Sequence, residues 1–248
     1  MQRYFIFISY DGSDYCGWQV QPNGNSIQKE IETALRILLR QSISITGAGR
    51  TDAGVHAKQM VAHFDSETLL DKSFLVEKMN KILPRDIAIH QIQEVSSGAH
   101  ARFDAVSREY QYFATTGKDA FLHPFQYKIT HPLNIELMNE ASRILLEYID
   151  FTSFSKLHTD VKTNNCRIKY AYWEQKEELY TFTICADRFL RNMVRAIVGT
   201  IIDIGRRKLS LEEFRSIIEA KDRCKAGASV PGQALFLTKV EYPENLFI

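Results

Sequence analysis

The sequence predicts an α+β protein whose two halves repeat one order of strands and helices. Segments with alternating apolar residues, as in strands, and segments with apolar residues every three or four positions, as in helices, follow one another as β-α-β-β-α-β and then recur. This order is typical of the split βαβ, or ferredoxin-like, arrangement. With 248 residues, 45% of them apolar, the chain can form two modest cores. We therefore expect two ferredoxin-like subdomains with antiparallel sheets, joined around a central cleft.

The first half, residues 1–105, contains six expected elements. Residues 3–10 alternate and are rich in aromatic and β-branched side chains, which is typical of a strand. Residues 26–39 place four aliphatic side chains on one helical face, and Asn25 or Ser26 can cap that helix. We expect a strand at 3–10, a helix at 26–39, strands at 42–47 and 58–65, a helix at 72–83 and a strand at 86–95.

The second half, residues 106–248, repeats the pattern with one added helix. The polar segment at 155–165 predicts a mobile loop. We expect a strand at 107–116, a helix at 134–148, strands at 166–176 and 179–187, helices at 188–204 and 210–221, and a strand at 234–242.

Three arginines recur at helical spacing in the second half. Arg188, Arg191 and Arg195 stand at i, i+3 and i+7, so a helix opening near Arg188 would carry them along one stripe opposite its apolar side. On spacing alone a solvated charged face is the preferred explanation, but the stripe contains no acid, which weakens this explanation relative to contact with a polyanion. Further basic residues that we expect near the domain junction or cleft are Arg102, Arg108 and residues 206–208.

A glycine-rich loop at residues 47–57 is the strongest candidate for a catalytic site. In an extended chain residues i and i+2 point the same way, so Arg50 and Asp52 can face one space, where the arginine would keep the carboxylate ionised. Gly47, Gly49 and Gly54 would let a bulky ligand approach the backbone. On composition alone, the preferred explanation is an aspartate that caps its own turn and an arginine in a surface ion pair.

The order of residues in this loop favours catalysis, because Gly-Arg-Thr-Asp-Ala-Gly-Val-His at 49–56 resembles the catalytic loop of the tRNA pseudouridine synthase A (TruA) family. Further blocks resemble the same family in the same order along the chain. They are Tyr-Asp-Gly at 10–12 with Tyr-Cys-Gly-Trp-Gln at 15–19, His-Ala-Arg-Phe at 100–103, Ser-Arg-Glu-Tyr-Gln-Tyr at 107–112, and Phe-Leu-Arg-Asn-Met-Val-Arg at 189–195 with Val-Gly at 198–199. The resemblance spans essentially the whole chain.

The resemblance implies an enzyme that isomerises uridine to pseudouridine in the anticodon stem-loop of tRNA. Asp52 matches the family's essential carboxylate, Tyr110 the tyrosine that stacks on the target uracil, and Arg195 the basic partner of the aspartate. Leu235 matches an apolar residue that shields the pocket, although Ala234 stands before it where the family commonly has glycine. The resemblance also implies a homodimer and no cofactor.

Other side chains are assigned by reasoning on the residues. The target base must be flipped out of its stack, and Arg50 is the candidate to hold the vacated helix. Arg102 and Arg191 are candidates for RNA contacts, and Tyr112, two residues from Tyr110 on the same strand, is interpreted as core.

Two other functions are possible. The first is a non-catalytic RNA-binding module. The second is a carboxylate-dependent glycosidase, although such enzymes usually need two carboxylates.

Composition limits the function further. The chain has 31 Lys and Arg against 30 Asp and Glu, a net charge of +1, so any phosphate-binding surface must be local or assembled in a dimer. The seven histidines and four cysteines show no metal-ligand spacing, and we interpret the cysteines as reduced packing residues. Without a leader or a long apolar run, we expect a soluble, cytoplasmic protein with no membrane partner.

Overall fold

The computed structural model describes residues 1–22, 24–156 and 162–248, and within them the chain forms two compact units. The first unit comprises residues 1–107 and 237–248, and the second comprises residues 108–236. Of the loop expected at 155–165, residues 157–161 lie outside the described residues. The α+β class and the mainly antiparallel strand pairing that the sequence predicts are confirmed.

The last twelve residues differ from the domain boundary expected from sequence, which assigns all of 106–248 to the second half. Their backbone explains why they belong to the first unit. The N–H of Val106 donates to the carbonyl of Glu241 at 2.8 Å, and the N–H of Ile248 donates to that of Glu94 at 3.2 Å. The N–H of Val240 also donates to Oε1 of Gln59 at 3.0 Å.

The first unit follows the expected β-α-β-β-α-β order. Its central strand lies between two antiparallel neighbours, and a two-residue strand pairs with one of them. Tyr4, Phe5, Ile6 and Ile8 of the central strand are buried in the core. The elements are β1 (Gln2–Tyr10), α1 (Ile27–Leu39), β2 (Thr46–Gly47), β3 (His56–Ser66), α2 (Lys72–Ile82) and β4 (Ile87–Val95), and the central strand is β1 between β3 and β4.

Helix α1 shapes both of its flanks. Ser26 is its N-cap and accepts a hydrogen bond from the N–H of Lys29, as expected. The strand expected at 42–47 is reduced to β2, because side chains of α1 take the backbone groups that a strand would pair. The N–H of Ile45 donates to Oε1 of Glu32 at 2.9 Å, and its carbonyl accepts from Nε2 of Gln28 at 3.1 Å.

The second unit has a three-stranded antiparallel path with helices. In it β8 lies between β5 and β7, and Tyr110 and Tyr112 of β5 oppose Ile184 and Phe182 of β8. The elements are β5 (Ser107–Thr115), β6 (Tyr127–Lys128), α3 (Ile135–Ile144), β7 (Ile168–Lys176), β8 (Leu179–Ala186), α4 (Met193–Gly205), α5 (Leu211–Glu219) and β9 (Leu235–Glu241), of which β9 from Leu237 onward belongs to the first unit. Helix α3 is shorter than expected and continues as a 3₁₀ turn at Leu145–Glu147.

The prediction that a helix at 188–204 carries a stripe of arginines is wrong. Helix α4 begins only at Met193, because Asn192 adopts a left-handed conformation with φ of 67° and cannot continue a helix. Arg188 and Arg191 therefore precede the helix, and every residue of α4 except Arg195 and Asp203 is buried. The helix is a core element and not an amphipathic one.

Among the described residues, no helix has both the length and the apolar character needed to cross a bilayer.

Candidate active site and RNA-binding residues

The loop between β2 and β3 turns at Asp52. The N–H of Val55 donates to the carbonyl of Asp52 at 3.2 Å, which closes a four-residue turn. Gly54, the third residue of this turn, has a φ of +73°, a conformation that glycine adopts without strain. In this loop the Arg50 side chain is exposed, Thr51 is buried and Asp52 is half-buried. The buried Thr51 anchors the loop while its two charged neighbours remain accessible.

The end of β1 and the segment that follows it support this loop from inside the first unit. The hydroxyls of Tyr10 and Thr51 lie 2.9 Å apart in a buried hydrogen bond. The N–H of Trp18 donates to the carbonyl of Thr51 at 3.3 Å. Both bonds fix Thr51, the residue immediately before Asp52, so they restrict where the Asp52 carboxylate can lie.

Two glycines of the same segment allow it to approach the loop backbone. A Cβ on Gly17 would lie 2.3 Å from the carbonyl oxygen of Thr51, and the φ of Gly17 is +101°. A Cβ on Gly12 would lie 2.2 Å from the carbonyl oxygen of Val55. Neither position can accept a side chain without moving the loop. These contacts explain why glycines occupy residues 12 and 17 of the first two motif blocks.

His56 connects the far end of the loop to the same segment. Its buried ring places Nδ1 3.0 Å from the backbone N of Gly12 and 2.9 Å from Oδ1 of Asp11. One nitrogen makes only one of these bonds at a time: it accepts from Gly12 when unprotonated and donates to Asp11 when protonated. Partial burial raises the pKa of Asp11, but hydrogen bonds from Ser13 and the nearby His56 outweigh it and hold that pKa below its ordinary value.

Arg102 lies after β4 in a segment that two imidazoles hold in place. Nδ1 of His100 accepts from the N–H of Arg102 at 3.1 Å, and Nδ1 of His63 accepts from the N–H of Ala101 at 3.1 Å. Burial, with the nearby His100 and Arg3, lowers the pKa of His63 to about 4, so this ring is neutral at neutral pH. The segment presents Arg102 to solvent, with its guanidinium carbon 5.6 Å from the centre of the exposed Phe103 ring.

In the second unit, the two tyrosines of β5 have different environments. The ring of Tyr110 is half-buried and meets Phe189 edge-on, with the ring centres 5.2 Å apart. Tyr112 is fully buried, and its hydroxyl donates to the carbonyl of Pro231 at 3.1 Å. Burial raises the pKa of Tyr112. The interpretation of Tyr112 as a core residue is therefore confirmed, and Tyr110 is the more accessible of the two.

Arg195, in the first turn of α4, is anchored to the segment that precedes β9. Its Nε donates to the carbonyl of Val230 at 2.7 Å, and the N–H of Val230 donates to the carbonyl of Arg195 at 3.2 Å. The segment reaches the helix backbone because a Cβ on Gly199 would lie 1.9 Å from the carbonyl oxygen of Ala228. The motif Val-Gly at 198–199 therefore provides the close approach that positions Arg195.

The remaining candidates lie elsewhere in the second unit. Arg191 is exposed in the turn before α4, and its carbonyl accepts from the N–H of Lys156 at 3.0 Å. Leu235 begins β9 and is 5% exposed, directly after the fully buried Ala234. Nδ2 of Asn192 donates to Oγ of Ser229 at 2.6 Å, a contact that sequence reasoning missed.

The cysteines only partly match their interpretation as packing residues. Cys166 and Cys185 are buried, but Cys16 and Cys224 are exposed, so packing does not account for these two. Burial raises the pKa of the Cys166 thiol to about 12. In the part of the chain that the structure describes, no group of three or more His, Cys, Asp or Glu side chains is placed to hold a metal ion.

Comparison with known proteins agrees with the arrangement of these motifs. A family model described as tRNA pseudouridine synthase matches residues 6–104 and 148–243, which include the Asp52 loop and Arg195. The chain is 60% identical to tRNA pseudouridine synthase A of Parabacteroides distasonis, over 100% of this chain and 98% of the relative. It is 40% identical to the protein of the same name from Bacillus subtilis, over 95% of this chain and 97% of the relative. The chain therefore belongs to the tRNA pseudouridine synthase family.

Proposed function

We propose that the protein isomerises uridine to pseudouridine in the anticodon stem-loop of tRNA, with Asp52 as the essential carboxylate. The observation that carries this proposal is the Asp52 loop, which lies within a full-length match to relatives named tRNA pseudouridine synthase A. The half-buried position of Asp52, beside the buried and hydrogen-bonded Thr51, supports it, because a reacting group must be both accessible and held in place.

The reaction breaks the N1–C1′ bond of uridine, turns the uracil and forms a C5–C1′ bond. The hydrogen on C5 leaves and N1 gains one, so the product is an isomer and neither oxidation nor an energy donor is involved. A carboxylate suits this chemistry as a nucleophile or as a proton acceptor, and Asp52 would act in one of these roles. The rest of the site must hold the detached base until it rejoins.

Tyr110, Arg195 and Leu235 are proposed as the substrate-binding residues of this reaction. The half-buried ring of Tyr110 presents a face on which a uracil can stack, and its contact with Phe189 fixes its orientation. Arg195 is proposed to bind the substrate through its guanidinium, which is held through Nε and has further N–H donors. Leu235 would exclude water from the base.

The exposed arginines are proposed to bind the RNA. Arg50 would occupy the space that the flipped nucleotide leaves, because it is exposed and lies two residues from Asp52. Arg102 and Arg191 would contact the RNA backbone, since both side chains face solvent and carry a permanent positive charge.

We also infer that the protein works in the cytoplasm as a homodimer. The net charge of +1 supports the dimer, because two copies can assemble a longer basic surface than one nearly neutral chain. Light scattering of the purified protein tests this, with a mass of about twice the 28.6 kDa chain expected. A monomeric mass at the concentrations that support activity would contradict it.

The experiment for the proposed function compares wild type with Asp52→Asn on tRNA that lacks the modification. Pseudouridine is mapped by carbodiimide-dependent primer extension, and tRNA binding is measured in parallel. We expect product in the anticodon stem-loop with wild type only, and similar binding by both proteins. Binding without product from either protein would indicate an RNA-binding module, and release of free uracil would indicate a glycosidase.

A further inference from the structure

A basic pocket of about 620 Å³ lies at the C-terminal end of α4 in the second unit. The residues that line it include three consecutive cations, Arg206, Arg207 and Lys208, together with Thr130 and His131. The volume is in the range of ligand-binding clefts. None of the proposed active-site residues lines this pocket.

The charge of the pocket suits a phosphate group. None of the described residues that line it is acidic, and Asp203, which lies nearby, is 3.6 Å from one guanidinium nitrogen of Arg206. Arg207 and Lys208 are exposed, so their side chains are accessible to a ligand. Because the whole chain is nearly neutral, a cluster of this kind is a strong local source of affinity for a polyanion.

The backbone holds the three cations in a fixed turn. The N–H of Arg207 donates to the carbonyl of Ile204 at 2.8 Å, and the N–H of Lys208 donates to that of Asp203 at 2.9 Å. This pair of bonds is a Schellman motif, in which the left-handed residue is usually glycine. Here Arg207 occupies that position with a φ of 59°. The chain thus places a long cationic side chain at the position where glycine would be less strained.

The backbone also holds a second part of the pocket lining in place. The N–H of Asn134, which lines the pocket, donates to the carbonyl of Gly205 at 2.9 Å. A Cβ on Gly205 would lie 2.6 Å from Sδ of Met138, so helices α4 and α3 approach closely at this point. The cavity is therefore formed between a rigid turn and a helix start that is attached to it.

We propose that this pocket binds a backbone phosphate of the RNA substrate, as a contact separate from the residues that act on the target uridine. The inference rests on the proposed function, since it takes tRNA as the substrate. The occupant is a phosphodiester because three cations and a hydroxyl among the lining residues suit a phosphate group. Free inorganic phosphate has the same chemistry and is distinguished by the experiment.

The test uses Arg207→Gly, which removes one positive charge and relieves the left-handed backbone strain. We therefore expect the melting temperature of this variant to be unchanged or higher, which excludes misfolding as a cause of weaker binding. The dissociation constant for unmodified tRNA should rise about threefold to tenfold, and the slope of log K against log salt should become shallower by about one. The rate at saturating tRNA should not change.

Arg40→Gly is the matched control. Arg40 is also an exposed arginine in the left-handed conformation at a helix end, with a φ of 54° after α1, but it does not line the pocket. This variant should keep the wild-type dissociation constant and salt slope. Equal tRNA binding by Arg207→Gly and wild type would overturn the proposal, as would an equal loss in both variants.

Added inorganic phosphate is the probe that distinguishes a phosphate of the RNA backbone from a free phosphate ion. The melting temperature is measured with and without millimolar phosphate. If phosphate stabilises wild type but not Arg207→Gly, and the variant binds tRNA as well as wild type does, the pocket binds a free anion. This result would overturn the RNA assignment. Failure of the proposed function would appear differently, as absence of pseudouridine from the wild-type reaction.

Discussion

The hydroxyls of Tyr10 and Thr51 lie 2.9 Å apart in the interior of the first unit, and this contact fixes the residue before Asp52. The bond joins the end of β1 to the loop that carries the proposed catalytic carboxylate. Because the precision of a reacting group depends on the residues that support it, Tyr10 is expected to act on catalysis as a positioning residue.

Replacing Tyr10 by Phe tests this relationship. The variant removes the hydroxyl and keeps the ring, so we expect kcat to fall about tenfold with little change in KM, and the unfolding free energy to fall by about 1 kcal/mol. Steady-state kinetics and thermal unfolding measure the two effects. Tyr4→Phe is the control, because the Tyr4 hydroxyl donates to Gln2 and accepts from the N–H of Leu70, away from the loop. It should lose similar stability while its kcat stays at the wild-type value; equal kcat in both variants would rule out positioning by Tyr10.

Replacing Gly17 by Ala should displace the loop. The added methyl group would lie 2.3 Å from the carbonyl of Thr51, and the φ of +101° is strained for alanine. We expect a loss of about 2 kcal/mol or more in unfolding free energy and a large loss of activity in the folded fraction. Gly98→Ala is the control, since its Cβ would meet nothing within 4 Å. Wild-type melting temperature and activity in Gly17→Ala would show that the loop tolerates the displacement.

Arg191→Ala tests the proposed contact of this side chain with RNA. Arg191 is exposed and lies before α4, so its removal should leave the melting temperature unchanged. We expect weaker tRNA binding, with the salt slope shallower by about one, because one phosphate contact is lost. Filter binding across a salt series measures both quantities. A salt slope equal to that of wild type would remove Arg191 from the RNA-binding surface.

The lowered pKa of His63 leads us to expect a loss of stability in mild acid. Its pKa is lowered from 6.5 to about 4 by burial and neighbouring positive charge. Between these values the unfolded chain binds a proton that the folded protein does not, so stability falls as the pH decreases from about 6.5 to 4. His63→Asn keeps an acceptor for the N–H of Ala101 but does not titrate. The drop in melting temperature from pH 7 to pH 5 should be smaller in the variant by about 2–5 °C. An identical drop in both proteins would contradict this assignment.

The order of strands and helices could be predicted because it depends on local patterns of apolar residues. The residue at which α4 begins could not be predicted in this way. The left-handed Asn192, which ends the preceding turn, is held by Ser229, 37 residues away. The short β2 has a similar cause: Glu32 and Gln28 on α1 take the backbone groups of Ile45. Interactions between distant residues therefore account for both errors.

The candidate site was predictable only in part. The order of residues in the loop is distinctive, and for that reason Asp52 and its loop could be proposed as the candidate site from the sequence. It did not identify Val230 as the anchor of Arg195, because the contact is made by a backbone carbonyl that any residue can supply. It included Gly17 and Tyr10 in matching blocks, but their support of Thr51 depends on the three-dimensional approach of two segments.

The release of hydrogen from C5 of uridine tests the central claim most directly. Formation of the C5–C1′ bond displaces this hydrogen, so tRNA containing 5-tritiated uridine should release tritium to water when mixed with excess wild-type enzyme in a single turnover. Asp52→Asn, which keeps the shape of the side chain and loses its charge, should bind this tRNA with similar affinity and release no tritium above background. Release at a rate within tenfold of wild type by Asp52→Asn would contradict the assignment of Asp52 as the essential carboxylate.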